Sequence, residues 1–151
     1  MTCDRAVISI LKEQINAYKI LLDLLKKERV CLVDFDAEKV EEISKEKDTV
    51  VMRLRLLEEE RVRLIKKFAE DNSLSFNLNL EEMAKHTGDT TFSILRSQML
   101  SLLQSIDEMN KFNSILIDRS IKYLRTTTNF FNSFTAQHTP QTTGVLLSKE
   151  T

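Results

Sequence analysis

The sequence predicts an all-α protein, an elongated antiparallel helical bundle with two long helices, one short helix and one very long C-terminal helix. Apolar residues recur at alternating steps of three and four along most of the 151 residues, which is the spacing of one face of an α-helix. The chain holds only 2 Gly and 1 Pro, and none of them precedes Gly88. Because β-sandwiches and barrels need turn residues about every eight to twelve positions, this composition argues against them.

Two stripes of apolar residues in the first half of the chain predict a helical hairpin. The first stripe indicates a helix over about 4–31 and the second a helix over about 37–71. Asp34 or Asp36 is expected to cap the second helix, since a short carboxylate accepts hydrogen bonds from the free amides of a first turn.

The second half of the chain predicts a short helix and then a much longer one. Residues 79–82 (Asn-Leu-Glu-Glu) have the form of a capping box, and Gly88 is expected to stop the short helix. Thirteen positions at unbroken three-or-four spacing then predict a helix over about 90–133. We expect one bundle domain over 1–135 and a flexible tail over 136–151, where the periodicity ends.

Net charge, the length of apolar runs and the number of cysteines exclude several classes of protein and partner. The net charge of −1 and the pI near 6.2 give no field that would attract nucleic acid. No apolar run exceeds four residues (Val30 to Val33), whereas a membrane span needs about 18. Two cysteines, Cys3 and Cys31, are too few for a disulfide framework, so we expect a cytosolic protein without membrane insertion.

No catalytic or metal-binding constellation stands out in the sequence. The two histidines, His86 and His138, lack neighbouring ligands of the kind that a zinc site requires. A histidine phosphotransfer module would carry a Lys three residues after His86 and a Gly four residues after it, where this chain has Asp89 and Thr90. We therefore expect a protein that is not an enzyme and needs no cofactor or metal.

Two cations, Lys47 and Arg61, interrupt the otherwise apolar second stripe. We expect their aliphatic stems to be buried at the bundle edge and their charged groups to lie in water. The stripes themselves are expected to hold no carboxylate pair of the kind that binds metals inside a bundle.

The end of the last helix is the strongest candidate for a binding surface. At about 1.5 Å per residue this helix would be about 65 Å long and would outreach the other two, leaving part of it uncovered. Its flanks are rich in Ser, Thr, Asn and Gln, but its second half has a parallel apolar row, Ile117, Ile121, Leu124 and Phe131, beside the main stripe. Exposed apolar rows with interleaved polar groups favour binding to a partner helix. The alternative is a structural coiled-coil homodimer in which a second copy covers this face. The candidate partner-binding residues are Asn113, Leu116, Ile117, Tyr123, Leu124, Phe130, Phe131 and Phe134.

The second and last helices resemble the FlgN family of flagellar export chaperones. The matching residues are Ile43-Ser44-Lys45-Glu46-Lys47, Val50, Leu54 and Leu57-Glu58-Glu59-Glu60-Arg61 in the second helix, with Asn110, Asn113, Ile115-Leu116, Ile121 and Leu124 in the last. The resemblance implies a cytosolic helical bundle that binds the C-terminal helical region of the hook-associated proteins at the hook–filament junction. It also implies that the chaperone prevents their premature assembly before type III export.

The resemblance assigns cargo binding to the C-terminal helix, which corresponds to residues 113–134 here. It further implies contact with components of the export gate or its ATPase. Many members of the family carry a Tyr-Gly pair that is associated with docking at the gate. The corresponding segment of this chain, 138–144, contains no Tyr.

Overall fold

The computed structural model describes residues 2–75 and 77–135, and within these ranges all regular structure is α-helical. The all-α prediction is therefore confirmed, and the helix bounds agree with the predicted ones to within a few residues. The predicted tail, 136–151, lies outside the described residues. Packing divides the chain into two compact units, residues 1–113 and residues 114–151. The four helices are α1 (Cys3–Val33), α2 (Ala37–Asp71), α3 (Leu80–Thr87) and α4 (Thr91–Thr135).

The start of α2 and both ends of α3 lie where the capping signals in the sequence predicted them. Of the two candidate caps for α2, Asp36 is the N-cap, and its carboxylate accepts from the backbone N–H of Lys39 at 3.2 Å. At α3 the capping box is complete. The Asn79 side chain accepts from the backbone N–H of Glu82 at 2.8 Å, and the Glu82 carboxylate accepts from the backbone N–H of Asn79 at 3.1 Å. Gly88 ends α3 in the left-handed region at φ +69°, which favours glycine.

Residues 1–113 contain two apolar clusters that hold the helices of that unit together. The first joins all four helices around Phe92, which is fully buried on α4. The second joins α1, α2 and α4 around Leu25, Leu57 and Ile106. The first part of α4 therefore packs in both clusters. The buried members of the first cluster are Val7, Leu11, Ile15, Leu64, Ile65, Leu80, Met83, Phe92 and Leu95.

Arg61, the second of the two cations on the α2 stripe, is placed differently from the prediction. Its guanidinium does not lie free in water but donates two hydrogen bonds to the carboxylate of Glu58, one of them from Nε at 2.8 Å. The same carboxylate accepts from the side-chain amide of Gln14, a fully buried residue of α1. The expectation for Arg61 was wrong because its guanidinium is paired with the Glu58 carboxylate, to which a buried amide of the facing helix also donates.

This arrangement makes part of the stability depend on pH. Hydrogen bonds from Arg61 are the main cause that lowers the pKa of Glu58 below its ordinary value of 4.5, with Gln14 contributing and partial burial opposing. A carboxylate with a lowered pKa stabilises the fold above its ordinary pKa, and the stabilisation is lost as the pH falls through the lowered value. Glu58→Gln should thus cost stability near neutral pH and progressively less below about pH 4.5.

Urea unfolding curves of the wild type and of Glu58→Gln, recorded between about pH 6 and about pH 3, measure this effect. Glu60→Gln is the matched control, since Glu60 also pairs with an arginine, but the side chain of that arginine, Arg63, is 61% exposed, as against 23% for Arg61. The difference in stability between wild type and variant should shrink with falling pH more for Glu58 than for Glu60. If the difference in stability between the wild type and Glu58→Gln is the same at every pH, the assignment is contradicted.

Candidate functional site: an apolar surface on the last helix

The C-terminal part of α4 exposes an unusual number of large apolar side chains. Phe130, Phe131 and Phe134 are 72%, 57% and 75% exposed. Single exposed apolar residues are ordinary, whereas a group of them close together on one helix is typical of surfaces that bind another molecule. The exposed apolar residues after Asn113 are Ile115, Ile117, Ile121, Tyr123, Leu124, Phe130, Phe131 and Phe134.

Helical geometry arranges these side chains in two rows. Successive residues of an α-helix are rotated by about 100°, so residues three, four or seven apart share a side. One row therefore contains Leu116, Tyr123, Phe130 and Phe134. The other contains Ile117, Ile121, Leu124 and Phe131. Two parallel apolar rows along one helix present a face wide enough for a second helix.

The predicted site residues from Leu116 onward belong to this face, which we call the α4 surface. All are exposed except Leu116, which is half-buried. Ile121 joins the second row although the site prediction did not include it; its spacing of four from Ile117 was the available signal. The α4 surface consists of Leu116, Ile117, Ile121, Tyr123, Leu124, Phe130, Phe131 and Phe134.

Asn113, the remaining predicted site residue, does not lie on the α4 surface. It is only 2% exposed, and its side-chain amide donates to the carbonyl oxygen of Leu25 and to the carboxylate of Glu28, both at 2.9 Å. Asn113 therefore anchors α4 to α1 within the unit formed by residues 1–113. Its amide nitrogen is therefore engaged within the protein.

Glu28 is a buried carboxylate that sequence reasoning missed. It is 3% exposed and forms an ion pair with Lys47, with Nζ and Oε2 2.6 Å apart. The prediction that the charged group of Lys47 lies in water was therefore wrong. A signal was present in the sequence: Glu28 follows Leu25 by three and so continues the apolar stripe of α1.

The His, Cys, Asp and Glu side chains of the described residues were the candidates for a metal site. Within 2–75 and 77–135, no group of three or more His, Cys, Asp or Glu side chains is placed to hold a metal ion. His86 is exposed on α3, and Cys3 and Cys31 are free thiols. None of the helices in the described part of the chain is long and apolar enough to cross a membrane.

A helical bundle whose last helix presents an apolar face has the form of a protein that binds other helices. The model of one family, described as FlgN protein, matches residues 1–142, so the chain belongs to the FlgN family. This is a family of flagellar export chaperones, and its members bind flagellar hook-associated proteins. No curated protein and no solved structure matched the chain.

Proposed function

We propose that this chain binds the C-terminal helical region of a hook-associated subunit along the α4 surface and keeps the subunit unassembled until export. The observation that carries the proposal is the exposure of two apolar rows after Asn113 in a chain of the FlgN family. A subunit's terminal helix carries an apolar stripe that otherwise drives assembly with its neighbours. Laying that stripe on the α4 surface removes both from water.

An apolar contact of modest area is sufficient for reversible capture. Burial of about 600 Å² of apolar area at about 25 cal/mol per Å² stabilises the complex by about 15 kcal/mol before costs. Ordering a disordered cargo helix and immobilising two molecules offset much of this. The expected Kd lies between about 1 μM and about 1 nM, which protects the cargo and still permits release.

The proposed activity is binding without catalysis, in the cytosol, and it needs neither cofactor nor metal. Delivery to the export gate or its ATPase follows capture in this scheme. Since residues 138–144 contain no Tyr, we propose that any docking at the gate uses residues other than a Tyr-Gly pair.

A calorimetric titration tests the proposal directly. The full chain is titrated with a synthetic peptide that spans the C-terminal helix of a hook-associated protein, and light scattering gives the masses of the free protein and of the complex. We expect a monomer that forms a 1:1 complex. A dimer that persists on dilution and does not bind the peptide would instead favour the structural homodimer.

A further inference from the structure

The turn that ends α1 holds a phenylalanine in a backbone conformation that favours glycine. The backbone N–H of Asp36 donates to the carbonyl oxygen of Cys31 at 3.0 Å. The N–H of Phe35 donates to the carbonyl oxygen of Leu32 at 3.3 Å, which completes the hydrogen-bond pattern of a Schellman motif. Phe35 occupies the left-handed position of this motif, at φ +55°, where a bulky side chain strains the backbone.

The next two helices have smaller residues at the comparable position. Ser73 follows α2 at φ +53°, and Gly88 ends α3 at φ +69°. Phe35 is 64% exposed, so burial of its ring does not offset the strain. A strained residue outside the core indicates a role other than folding, and an exposed ring is suited to contact with another molecule.

Apolar side chains and two cations lie beside this turn. Val30 and Val33 are 59% and 57% exposed and line a shallow groove with Lys26 and Arg29. A second groove, between α1 and the first part of α4, includes Leu22. Lys26 and Arg29 line both grooves and therefore lie between them. The hairpin-tip surface, as we call this region, consists of Leu22, Lys26, Arg29, Val30, Val33 and Phe35.

Arg29 is well placed to bind a carboxylate. Its guanidinium carbon lies 4.6 Å from the centre of the Phe112 ring. A guanidinium that stacks on a ring keeps the N–H donors in its own plane for an anion. Neither Arg29 nor Lys26 takes part in an ion pair within the part of the chain that the structure describes. Both cations are therefore available to a carboxylate from another molecule.

The order of side chains along α1 defines the chemistry of an occupant. One side of the helix presents apolar, basic, basic and apolar residues over about 16 Å. A partner helix that presents apolar, acidic, acidic and apolar residues at the same spacing is complementary to it. The four residues, at spacings of four, three and four, are Leu22, Lys26, Arg29 and Val33.

The carboxylates of the grooves lie away from this centre. Asp34 lines only the first groove and Glu108 only the second. Positive charge is therefore central and negative charge peripheral. This distribution disfavours an anionic membrane, whose charge would extend over the whole area, and favours a segment with carboxylates in its middle.

We propose that the hairpin-tip surface binds an amphipathic helix of another protein, whose two central carboxylates pair with Lys26 and Arg29. Apolar side chains at the two ends of that segment pack on Leu22 and Val33, and Phe35 extends the apolar contact at the turn. All residues of this surface belong to the unit formed by residues 1–113, and none belongs to the α4 surface. The inference therefore goes beyond cargo capture and does not depend on the proposed function.

Three synthetic helices test the proposal on the full chain. The acidic peptide is stapled into a helix and carries Leu, Glu, Glu and Leu at the spacing of the four α1 residues. Lys replaces both Glu in the basic peptide, and Ser replaces both Leu in the polar one. In a nuclear magnetic resonance titration, the acidic peptide should shift the methyl signals of Val30 and Val33. It should bind at least about tenfold more tightly than the other two, and more weakly as salt screens the ion pairs.

Charge reversal of the two cations identifies the site. Lys26→Glu with Arg29→Glu should weaken binding of the acidic peptide at least about tenfold and strengthen binding of the basic peptide. Arg5→Glu with Lys12→Glu is the matched control, since it reverses one exposed arginine and one exposed lysine nearer the other end of α1. The control should bind both peptides like the wild type.

Phe35→Gly separates a binding role from a folding role. It should raise the urea concentration at half-unfolding, because glycine relieves the strain, and yet weaken binding of the acidic peptide about threefold or more. Ser73→Gly is the matched control: it relieves the same strain after α2 and should leave binding unchanged. Destabilisation by Phe35→Gly would show that the ring serves folding and would overturn its assignment to the surface.

Four other results overturn the proposal. Equal binding of the acidic and basic peptides would show an unspecific apolar contact. Unchanged affinity after reversal of both cations would place the binding site elsewhere. Binding of phosphatidylglycerol vesicles in place of the acidic peptide would identify a membrane surface. Self-association in light scattering that replaces peptide binding and is lost on charge reversal would identify a second copy of this chain as the occupant.

Discussion

Replacing Leu124 and Phe131 together by Asp should abolish capture of the hook-associated peptide while the helical content stays unchanged. Both side chains are more than half exposed, so the free protein loses little packing when they are shortened. In the complex, however, two carboxylates would have to be buried against an apolar stripe without partners, which costs several kcal/mol for each. Each 1.4 kcal/mol weakens binding about tenfold, so a micromolar affinity becomes undetectable.

The measurement is a calorimetric titration accompanied by far-ultraviolet circular dichroism. Leu56→Asp with Ile94→Asp is the matched control, because these residues are 58% and 55% exposed, as against 59% and 57% for Leu124 and Phe131, but belong to the unit formed by residues 1–113. The control should bind peptide like the wild type. Normal binding by the Leu124→Asp, Phe131→Asp chain would show that the cargo lies elsewhere.

Replacing Lys47 by Met should destabilise the unit formed by residues 1–113 by about 2–3 kcal/mol. The substitution leaves the Glu28 carboxylate buried, with the Asn113 amide as its remaining partner among the described residues. Breaking one side of a buried ion pair typically costs about 3–5 kcal/mol, and the value here is set lower because the Lys47 side chain is 23% exposed.

A second substitution that restores stability distinguishes the loss of the ion pair from the loss of side-chain packing. Glu28→Gln removes the unpaired charge and keeps an oxygen that can accept from Asn113, so Glu28→Gln with Lys47→Met should recover most of the stability. Lys45→Met is the matched control: Lys45 also pairs with a glutamate, Glu41, but in full exposure, and its loss should cost at most about 1 kcal/mol. If urea unfolding gives Lys45→Met and Lys47→Met the same stability, Glu28 does not depend on its partner.

Local signals in the sequence were sufficient for the helices and their ends. The capping box at Asn79 and the stop at Gly88 depend on residues within a few positions of each other, and both are present. The candidate surface was also accessible from the sequence, since the apolar periodicity of the last helix predicted the group that includes Phe130, Phe131 and Phe134, and these side chains are exposed.

The sequence could not distinguish which polar residues on the stripes are buried. Asn113 has the spacing of a seam residue and was assigned to the partner surface, yet it is enclosed against Leu25 and Glu28, which lie 88 and 85 residues earlier in the chain. Lys47 and Arg61 were expected to reach water, and both are held by carboxylates. Asn113 and Lys47 bind residues that are distant in the sequence. Arg61 binds Glu58 on its own helix, and Glu58 in turn accepts from the distant Gln14.

By itself, the sequence determined that the chain is helical, where its helices begin and end, and which end of the last helix carries surplus apolar surface. These properties depend on periodicity and capping, which act over a few residues. Only the tertiary structure decided that the Glu28 carboxylate is buried and that it binds both Lys47 and Asn113. Burial of a polar side chain depends on the register between segments far apart in the chain, and periodicity within one helix carries no information about that register.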